Sequence, residues 1–421
     1  MRVAVIADNI SWRGVGVSTS MQIRLLLEQG IDITLVAPNN ELKNIYNLTK
    51  IYTSRLIVIP IPSINVGFMQ ILEPRKVSYY LDKSLNNVDL IYIPNMYYWA
   101  LKYAKKKHLP SVIAINMPWP ICFYQNVFFK HNPCSGCVWS KSRGSFNDYV
   151  RLYQCIVEKE GAPKSLVKFP LSIIKRDVIE SYLTMATRVV AISQAVEKWL
   201  INRFQDLSDR IKVVYLGALF PPLPYVPPDS DNSKLRLFYF SAPDEEKGIF
   251  NLLKALSIAV KYDSNITLKI MGANSKVETM VRELGLQNNV TLMPWYPSDK
   301  VFNILPEIIK DVDVVVVPSL IEEAWAGVTT QAMALGRPVL VNKIGGLREQ
   351  VIDGVNGYYC NCNDIASFAK KLLELRMLSK SELYQAGLRA REHYLKLYDP
   401  YRIIDDLINV FNEALLEFGH R

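Results

Sequence analysis

The chain has 421 residues, half of them apolar, with 49 Lys and Arg against 40 Asp and Glu for a net charge of +9. That length predicts two domains of ordinary size, with apolar residues ample for two cores. No apolar run reaches the roughly 18 residues that a membrane span needs, and the opening MRVAVIADN reads directly as a strand with no room for a secretion signal, so a cytoplasmic protein is expected.

Arg2–Ala7 reads as a first strand, NISWRGVG (Asn9–Gly16) as a loop, Ser18–Gln29 as a helix and Ile31–Ala37 as a second strand, the opening of a βαβ fold. Gly14 and Gly16 let backbone approach a ligand closely, or simply make a tight turn. Leu56–Ile61, Leu90–Ile93 and Ser111–Asn116 read as further strands. Within residues 62–82, Phe68, Met69, Ile71 and Leu72 fall near helical spacing, which suits a core-facing amphipathic helix. Lys105-Lys106-Lys107 ends a surface helix that follows Tyr97-Tyr98-Trp99. Residues 117–170 are the least regular and read as an insertion. They hold Cys122, Cys134, Cys137 and Cys155, with His131 beside the Cys-x-x-Cys pair. His131, Cys134, Cys137 and Cys155 are the ligand types of a structural zinc site; plain thiols or a disulfide are the alternatives. Arg188–Ile192, a helix Glu197–Phe204 and a strand Lys212–Tyr215 close a first domain, 1–220. Residues 1–220 hold 27 Lys and Arg against 15 Asp and Glu, a net +12, and residues 221–421 hold 22 against 25, a net −3. A basic first half suits an anionic acceptor at a membrane surface or nucleic acid, or is simply a solvated surface.

Pro221–Ser233, PPLPYVPPDSDNS, reads as a stiff linker. The second domain, 234–400, opens with a strand Leu235–Ser241, then Asp244-Glu245-Glu246-Lys247-Gly248 and a helix to about Tyr262. Lys247 is either an ordinary helix-start lysine or a cation facing a bound anion, since a positive charge there otherwise opposes the helix dipole. Ile266–Met271 ends in Gly272-Ala273, and Val290–Met293 precedes Trp295, an aromatic suited to stacking or to the core. Val314–Val317 is a short β-branched run, as in a strand buried on both faces. Pro318 and Ser319 end it, Glu322 and Glu323 follow, and Gly327 opens a helix that Gly336 and Pro338 stop before a strand Val339–Val341. Ligands of open α/β sheets bind beyond the carboxyl ends of strands. A helix N-terminus there offers free N–H groups to a phosphate, and neighbouring carboxylates can hold sugar hydroxyls. The stretch therefore predicts a site for a phosphorylated, hydroxyl-rich ligand. Cys360 and Cys362 alternate onto one strand face as small buried residues, and a helix Ile403–Phe418 closes the chain, with 401–421 as a separate element.

Residues 314–358 resemble the donor site of the retaining glycosyltransferases of family 4. That family's signature runs Pro-Ser, then Glu, seven residues and a second Glu, then Ala-Met-Ala-x-Gly-x-Pro-Val. Here it reads Pro318-Ser319, Glu323, seven residues, Gln331, then Ala332-Met333-Ala334-Leu335-Gly336-Arg337-Pro338-Val339. The following Gly-Gly-x-x-Glu and Asp-Gly-x-x-Gly appear as Gly345–Glu349 and Asp353–Gly357. The resemblance implies the α/β GT-B fold: two Rossmann-like doubly wound parallel-sheet domains facing across a cleft, with the last helix crossing back to the first. It implies a metal-independent enzyme that needs no cofactor and moves a sugar from a nucleotide-diphosphate sugar to a glycan or lipid-linked acceptor. Nucleic acid is not an expected partner; contact with the inner membrane face through the basic first domain is.

By the same resemblance, Glu323 holds the donor sugar and Gln331 takes the ribose-binding place of the second Glu. Lys247, the backbone at Gly327 and Val328, and Thr329 and Thr330 face the leaving diphosphate. Gly14 and Gly16 line the donor or acceptor, while Gly272 and Trp295 lie near the base. Three positions depart from the pattern: Gln331, Ala242 where the family has a phosphate-binding Arg, and Asn116 where many members have a His. These departures leave a non-catalytic scaffold with a degraded donor site as the rival reading. An epimerase on the same fold has no placeable carboxylate and histidine set, with only four His in the chain.

Overall fold

A computed structural model describes residues 1–10, 15–45, 50–52, 54–62, 75–85, 87–117, 120, 122, 128–129, 132–133, 137, 141, 144–228, 233–296 and 298–419. The chain divides into two compact units. The first takes Met1–Lys130, Ser135–Phe220 and Pro400–Arg421; the second takes His131–Cys134 and Pro221–Asp399.

In the first unit β1 (Arg2–Ile6), β2 (Asp32–Pro38), β3 (Leu56–Ile61), β4 (Leu90–Ile93) and β5 (Ser111–Ile115) come first in the chain. The two-residue strands β6 (Phe128–Phe129) and β7 (Asn132–Pro133) lie outside the main sheet, which β8 (Arg188–Ala191) and β9 (Ile211–Val213) complete. That sheet has seven strands in the order β3-β2-β1-β4-β5-β8-β9, and its pairings are parallel. Register follows the apolar runs: Val3 stands opposite Ile33 on one side and Leu90 on the other. β1, β4 and β5 are buried almost throughout, as helices on both faces of a parallel sheet require. The helix Val15–Glu28 buries Ser18, Ser20 and Gln22 with partners for each: Ser18 donates to the Leu216 carbonyl, Ser20 to the Ile10 carbonyl at 2.9 Å, and Gln22 bridges Ser18 and Tyr92. Gly16 is buried in its first turn; Gly14 lies outside the described residues. Of the near-helical apolar set at 62–82, Phe68 to Leu72 lie outside them too; the described helix there is Arg75–Ser84.

The last helix, Pro400–Gly419, belongs to this first unit. It buries Ile403, Ile404, Leu407, Val410, Phe411 and Ala414 at helical spacing, and the Phe411 ring lies 5.1 Å from that of Tyr92. Arg188, at the start of β8, pairs with Glu413 at 3.4 Å and with Glu417.

Residues 117–170 are more regular than their sequence reads. They contain the helix Phe146–Glu160 and the start of a second, Ala162–Leu183, joined through Gly161. The first is amphipathic and carries a capping box between Ser145 and Asp148. The second is masked in the sequence by Pro163 and Pro170, which read as breakers, and by apolar residues on its outer as well as its inner side. Pro163 is tolerated because the first turn has no intrahelical use for its missing N–H.

In the second unit β10 (Leu235–Tyr239), β11 (Ile266–Met271), β12 (Val290–Met293), β13 (Val314–Val317), β14 (Val339–Asn342) and β15 (Gly357–Cys360) form a parallel six-stranded sheet in the order β12-β11-β10-β13-β14-β15. The order reverses beside β10, so the loops leaving β10 and β13 diverge and open a crevice at their carboxyl ends. Pro221–Pro228 has no regular secondary structure, but it is docked on this unit. The Val226 carbonyl accepts from Arg337 at 2.6 Å, and the Leu223 carbonyl accepts from Arg391 at 2.9 Å. β15 ends at Cys360, so Cys362 lies beyond the strand; both are buried, and the structure joins their sulfurs as a disulfide.

Candidate functional site

The site is assembled at the carboxyl edge of the second sheet, where β10 and β13 part. The loop after β10 ends in a single 3-10 turn, Glu245–Lys247, and Gly248 in the left-handed region (φ 74°) turns the chain into the helix Ile249–Tyr262. Lys247 thus precedes the α-helix rather than sitting in its first turn, because the left-handed residue separates the two. A methyl group on Gly248 would overlap the Pro318 carbonyl, so the bare glycine lets this turn lie directly on the end of β13. The Leu320 N–H donates to the Glu246 carbonyl at 2.8 Å and ties the two loops together.

That docking brings together two charges 76 residues apart in sequence. Lys247 Nζ lies 2.5 Å from Glu323 Oε1, with the carboxylate almost wholly buried and the ammonium partly open to solvent. Ser319 Oγ donates to the same oxygen at 2.6 Å, and the Ser319 carbonyl is fixed by Asn342 Nδ2 at 3.0 Å. Glu323 is therefore aimed by two contacts, one of them from a residue that Asn342 itself fixes. Its backbone is held as well: the Gly346 N–H donates to the Glu323 carbonyl at 2.7 Å, and the Gly345 N–H donates to Glu322 Oε2 at 2.8 Å. A side chain on either glycine would collide with the backbone of residues 322–324. The Gly-Gly pair is thus the seat on which the acidic loop rests.

The helix Gly327–Ala334 starts beside this loop, with Ala326 as its N-cap. Gly327 and Val328 present first-turn N–H groups, whereas the Thr329 N–H is taken by the Ala326 carbonyl at 3.1 Å. Both threonines are fully buried. Thr330 Oγ1 donates to the Gly327 carbonyl at 3.0 Å, and Thr329 Oγ1 has no hydrogen-bond partner among the described residues. Gln331 is partly exposed one turn along. The start of the helix is held from behind by Gln350, fully buried, whose Nε2 donates to the Ala326 carbonyl at 3.1 Å. After β11, Gly272 lies under the Trp295 ring, which covers the backbone where a Cβ would stand and leaves about half of the indole exposed, at 47%.

Asn342 and Gln350 escape the sequence reading because each acts through a contact across 23 or 24 residues that only the fold creates, and Ser319, read there only as part of the signature, acts on Glu323 within the loop. Lys247 and Glu323 are brought together, and Gly327 and Val328 follow Glu323 on the same loop and helix start; Gly272 and Trp295 meet beyond β11 and β12. Ala242 leaves no guanidinium at its place; its carbonyl accepts from Tyr239 Oη at 2.6 Å. An Asp-x-Asp of the kind that binds divalent metal does occur, Asp311-Val312-Asp313, but before β13 at the opposite edge of the sheet. There Arg236 holds Asp313 at 2.9 Å and Lys269 holds Asp311 at 2.6 Å. The zinc site expected in the cysteine-bearing insertion finds no support. His131 and Cys134 lie outside the described residues, Cys137 and Cys155 are partly buried, and among the described residues no three His, Cys, Asp or Glu are grouped to hold a metal ion. Nor, among them, is any helix long and apolar enough to cross a membrane.

In the first unit the corresponding edge carries Asp8 after β1, Asn95 after β4 and Asn116 after β5. Asn95 Nδ2 donates to Asp8 Oδ2 at 3.2 Å, and Asn116 Nδ2 donates to the Pro94 carbonyl. Asn116 thus braces the end of β4. Burial pushes the Asp8 carboxyl up to about 6 against the hydrogen bonds that lower it.

Comparison with known sequences and structures agrees with this geometry. A family model described as Glycosyltransferase Family 4 matches residues 12–218, and one described as Glycosyl transferases group 1 matches residues 227–387. The lipopolysaccharide 1,2-N-acetylglucosaminetransferase of Salmonella typhimurium is 32% identical over 135 residues, 29% of this chain and 34% of that protein. The D-inositol 3-phosphate glycosyltransferase of Nocardia farcinica is 31% identical over 267 residues, 58% of this chain and 57% of that protein. The chain therefore spans between about a third and three fifths of the length of these relatives. Among solved structures, Anabaena HepE in complex with UDP superposes with a TM-score of 0.64 at 16% identity, covering 98% of this chain and all of that one. With both halves matched in order and two Rossmann-like sheets behind them, the chain belongs to the group 1, family 4 glycosyltransferases and has the GT-B fold.

Proposed function

We propose that this protein transfers a sugar from a nucleotide-diphosphate sugar to a glycan or lipid-linked acceptor, with retention at the anomeric carbon and without a metal ion at the leaving group. The observation that carries the reading is the pair Lys247 and Glu323, set beside the open helix start at Gly327. As the glycosidic bond to the donor breaks, negative charge grows on the diphosphate. Lys247 and the N–H groups of Gly327 and Val328 are placed to stabilise that charge without reorganising. Glu323, aimed by Ser319, is an acceptor for sugar hydroxyls. Gln331 offers the ribose an amide in place of a carboxylate, and Trp295 offers the base an exposed ring. The UDP bound to Anabaena HepE supports a nucleotide donor. Relatives that act on lipopolysaccharide and on an inositol phosphate support an anionic or lipid-linked acceptor, which the net +12 of residues 1–220 also suits. Retention rests on the family resemblance, and the protein is read as working in the cytoplasm at the inner face of the membrane.

The test is a panel of nucleotide-diphosphate sugars, with thermal shift for binding and nucleotide release for turnover. One donor is expected to raise the melting temperature and to be slowly hydrolysed, and Glu323→Ala and Lys247→Ala each to lose turnover about 100-fold or more. NMR of the product's anomeric proton reads the stereochemistry. Failure of every donor to bind at millimolar concentration overturns the proposal.

A further inference from the structure

The helix Ala162–Leu183 lies against Phe146–Glu160, where the Phe169 ring meets Tyr153 edge-on at 5.7 Å, and its inner side buries Ser165, Ser172, Ile179 and Leu183. Its outer side shows Leu166, Val167, Leu171 and Ile174 to solvent, at 71, 62, 41 and 51% exposure. At about 100° per residue these four project within an arc of roughly 140°. The exposed residues Pro163, Val167, Pro170, Ile174, Asp177 and Ser181 follow one another at alternate steps of four and three, the spacing with which one helix lies along another. Single exposed apolar residues are ordinary; a continuous stripe along one helix marks an interaction surface.

The charges on this face are balanced, and their order selects the partner. Lys168 is neutralised by Glu160 at 2.5 Å. Lys164, exposed in the first turn, has no ion pair or hydrogen bond among the described residues. Asp177, exposed towards the other end, gives Oδ1 to Arg176 at 2.9 Å and keeps Oδ2 open. The face is thus apolar in the middle, positive towards its N-terminal end and negative towards its C-terminal end. Its complement is the same face turned end for end. A two-fold axis between Pro170 and Leu171 sets Val167 at the height of the partner's Ile174, Pro170 at that of the partner's Leu171, and Lys164 at that of the partner's Asp177. The flexible four-carbon stem of a lysine reaches across such a seam. Lys164 also opposes its own helix dipole, and an antiparallel partner brings the negative half of a second dipole alongside it. We propose that the protein associates with a second copy of itself through an antiparallel pairing of the helix Ala162–Leu183, with Val167, Pro170, Leu171 and Ile174 at its centre and two Lys164–Asp177 pairs at its ends. A seam this narrow makes a weak, reversible dimer. The pairing does not rest on the proposed reaction, and its readout needs no turnover.

The experiment is sedimentation velocity of the full chain from about 1 to about 100 µM, the range of a weak dimer. The mass is expected to rise from the 48.1 kDa of one chain towards twice that value. Leu171→Glu/Ile174→Glu is expected to weaken the dimer at least about tenfold with its melting temperature unchanged. Asp177→Lys and Lys164→Asp each replace two attractions by two repulsions, and each is expected to weaken it about tenfold. The double swap Lys164→Asp/Asp177→Lys restores both pairs and is expected to bring affinity back to within about threefold of wild type. That rescue is the signature of an antiparallel second copy, and these exposed positions keep it readable if the apolar variant melts early. A wild type that stays monomeric at about 100 µM overturns the proposal. So does a dimer indifferent to Leu171→Glu/Ile174→Glu, or a double swap no tighter than either single change. Donor hydrolysis, assayed beside these, tests the reaction separately, and its absence leaves the dimer standing.

Discussion

Glu323 has no freedom to serve as an exposed carboxylate: one oxygen takes both the Lys247 ammonium and the Ser319 hydroxyl, and the backbone beneath is clamped by Gly346. Ser319→Ala removes one of the two contacts that aim it but neither charge. It should lower turnover about tenfold with little change in nucleotide affinity, measured as kcat and KM separately; a change in KM alone would place Ser319 in binding rather than aim. Asp8 offers a prediction of another kind. Its Oδ1 is buried without a partner among the described residues, and its pKa stands near 6 rather than the ordinary 3.8. The folded chain therefore holds that proton more tightly than the unfolded chain does. This costs no stability below about pH 4, a growing amount as pH rises from 4 to 6, and the full amount above. Asp8→Asn should raise the melting temperature at pH 8 and make no such difference at pH 4; an equal shift at both values would refute the buried charge as its cause. Lys247 and Glu323 stand out in the sequence because motif spacing carries them, but their pairing does not, since 76 residues separate them. Nor does the sequence show that the Thr330 hydroxyl turns back to the Gly327 carbonyl, a local choice open to any hydroxyl in a helix.

Strands were the most legible elements. Runs such as Val314–Val317 are buried on both sides, and a parallel sheet leaves them no polar alternation to blur the signal. Helix starts were less so. The helix read from Glu197 begins at Gln194, because Ser193 accepts from the Val196 N–H at 3.1 Å and caps it. Ser193→Ala should cost about 1 kcal/mol in denaturant unfolding. Ala162–Leu183 was hidden for the opposite reason: its outer apolar stripe erases the period that marks an ordinary surface helix. Gly248 joins element to site. With φ at 74° and the Pro318 carbonyl against its Cα, Gly248→Ala must push the β10 loop off the end of β13. We expect a fall of several degrees in melting temperature together with loss of donor binding; unchanged donor affinity would mean that the loop docking does not shape the site.

At the scale of the molecule, composition gave two domains and an uneven charge, and the fold supplies what composition hides: the first unit takes its last helix from beyond the second. The stretch 221–228, which reads as a linker, is held on the second unit by Arg337 and Arg391, contacts that no local pattern announces. The helix Pro400–Gly419 completes the first unit, covering it with Ile403, Ile404, Leu407, Val410, Phe411 and Ala414. Its place sets an order of events during synthesis. Residues 1–220 leave the ribosome before residues 221–399 but lack their closing helix, which is made after both. At about 5–20 residues per second they wait roughly 10–40 s with apolar surface uncovered, while residues 221–399 can finish folding in the interval. The half of the protein that is born first is thus the last to mature, and during that wait it is the part that a chaperone would have to shelter.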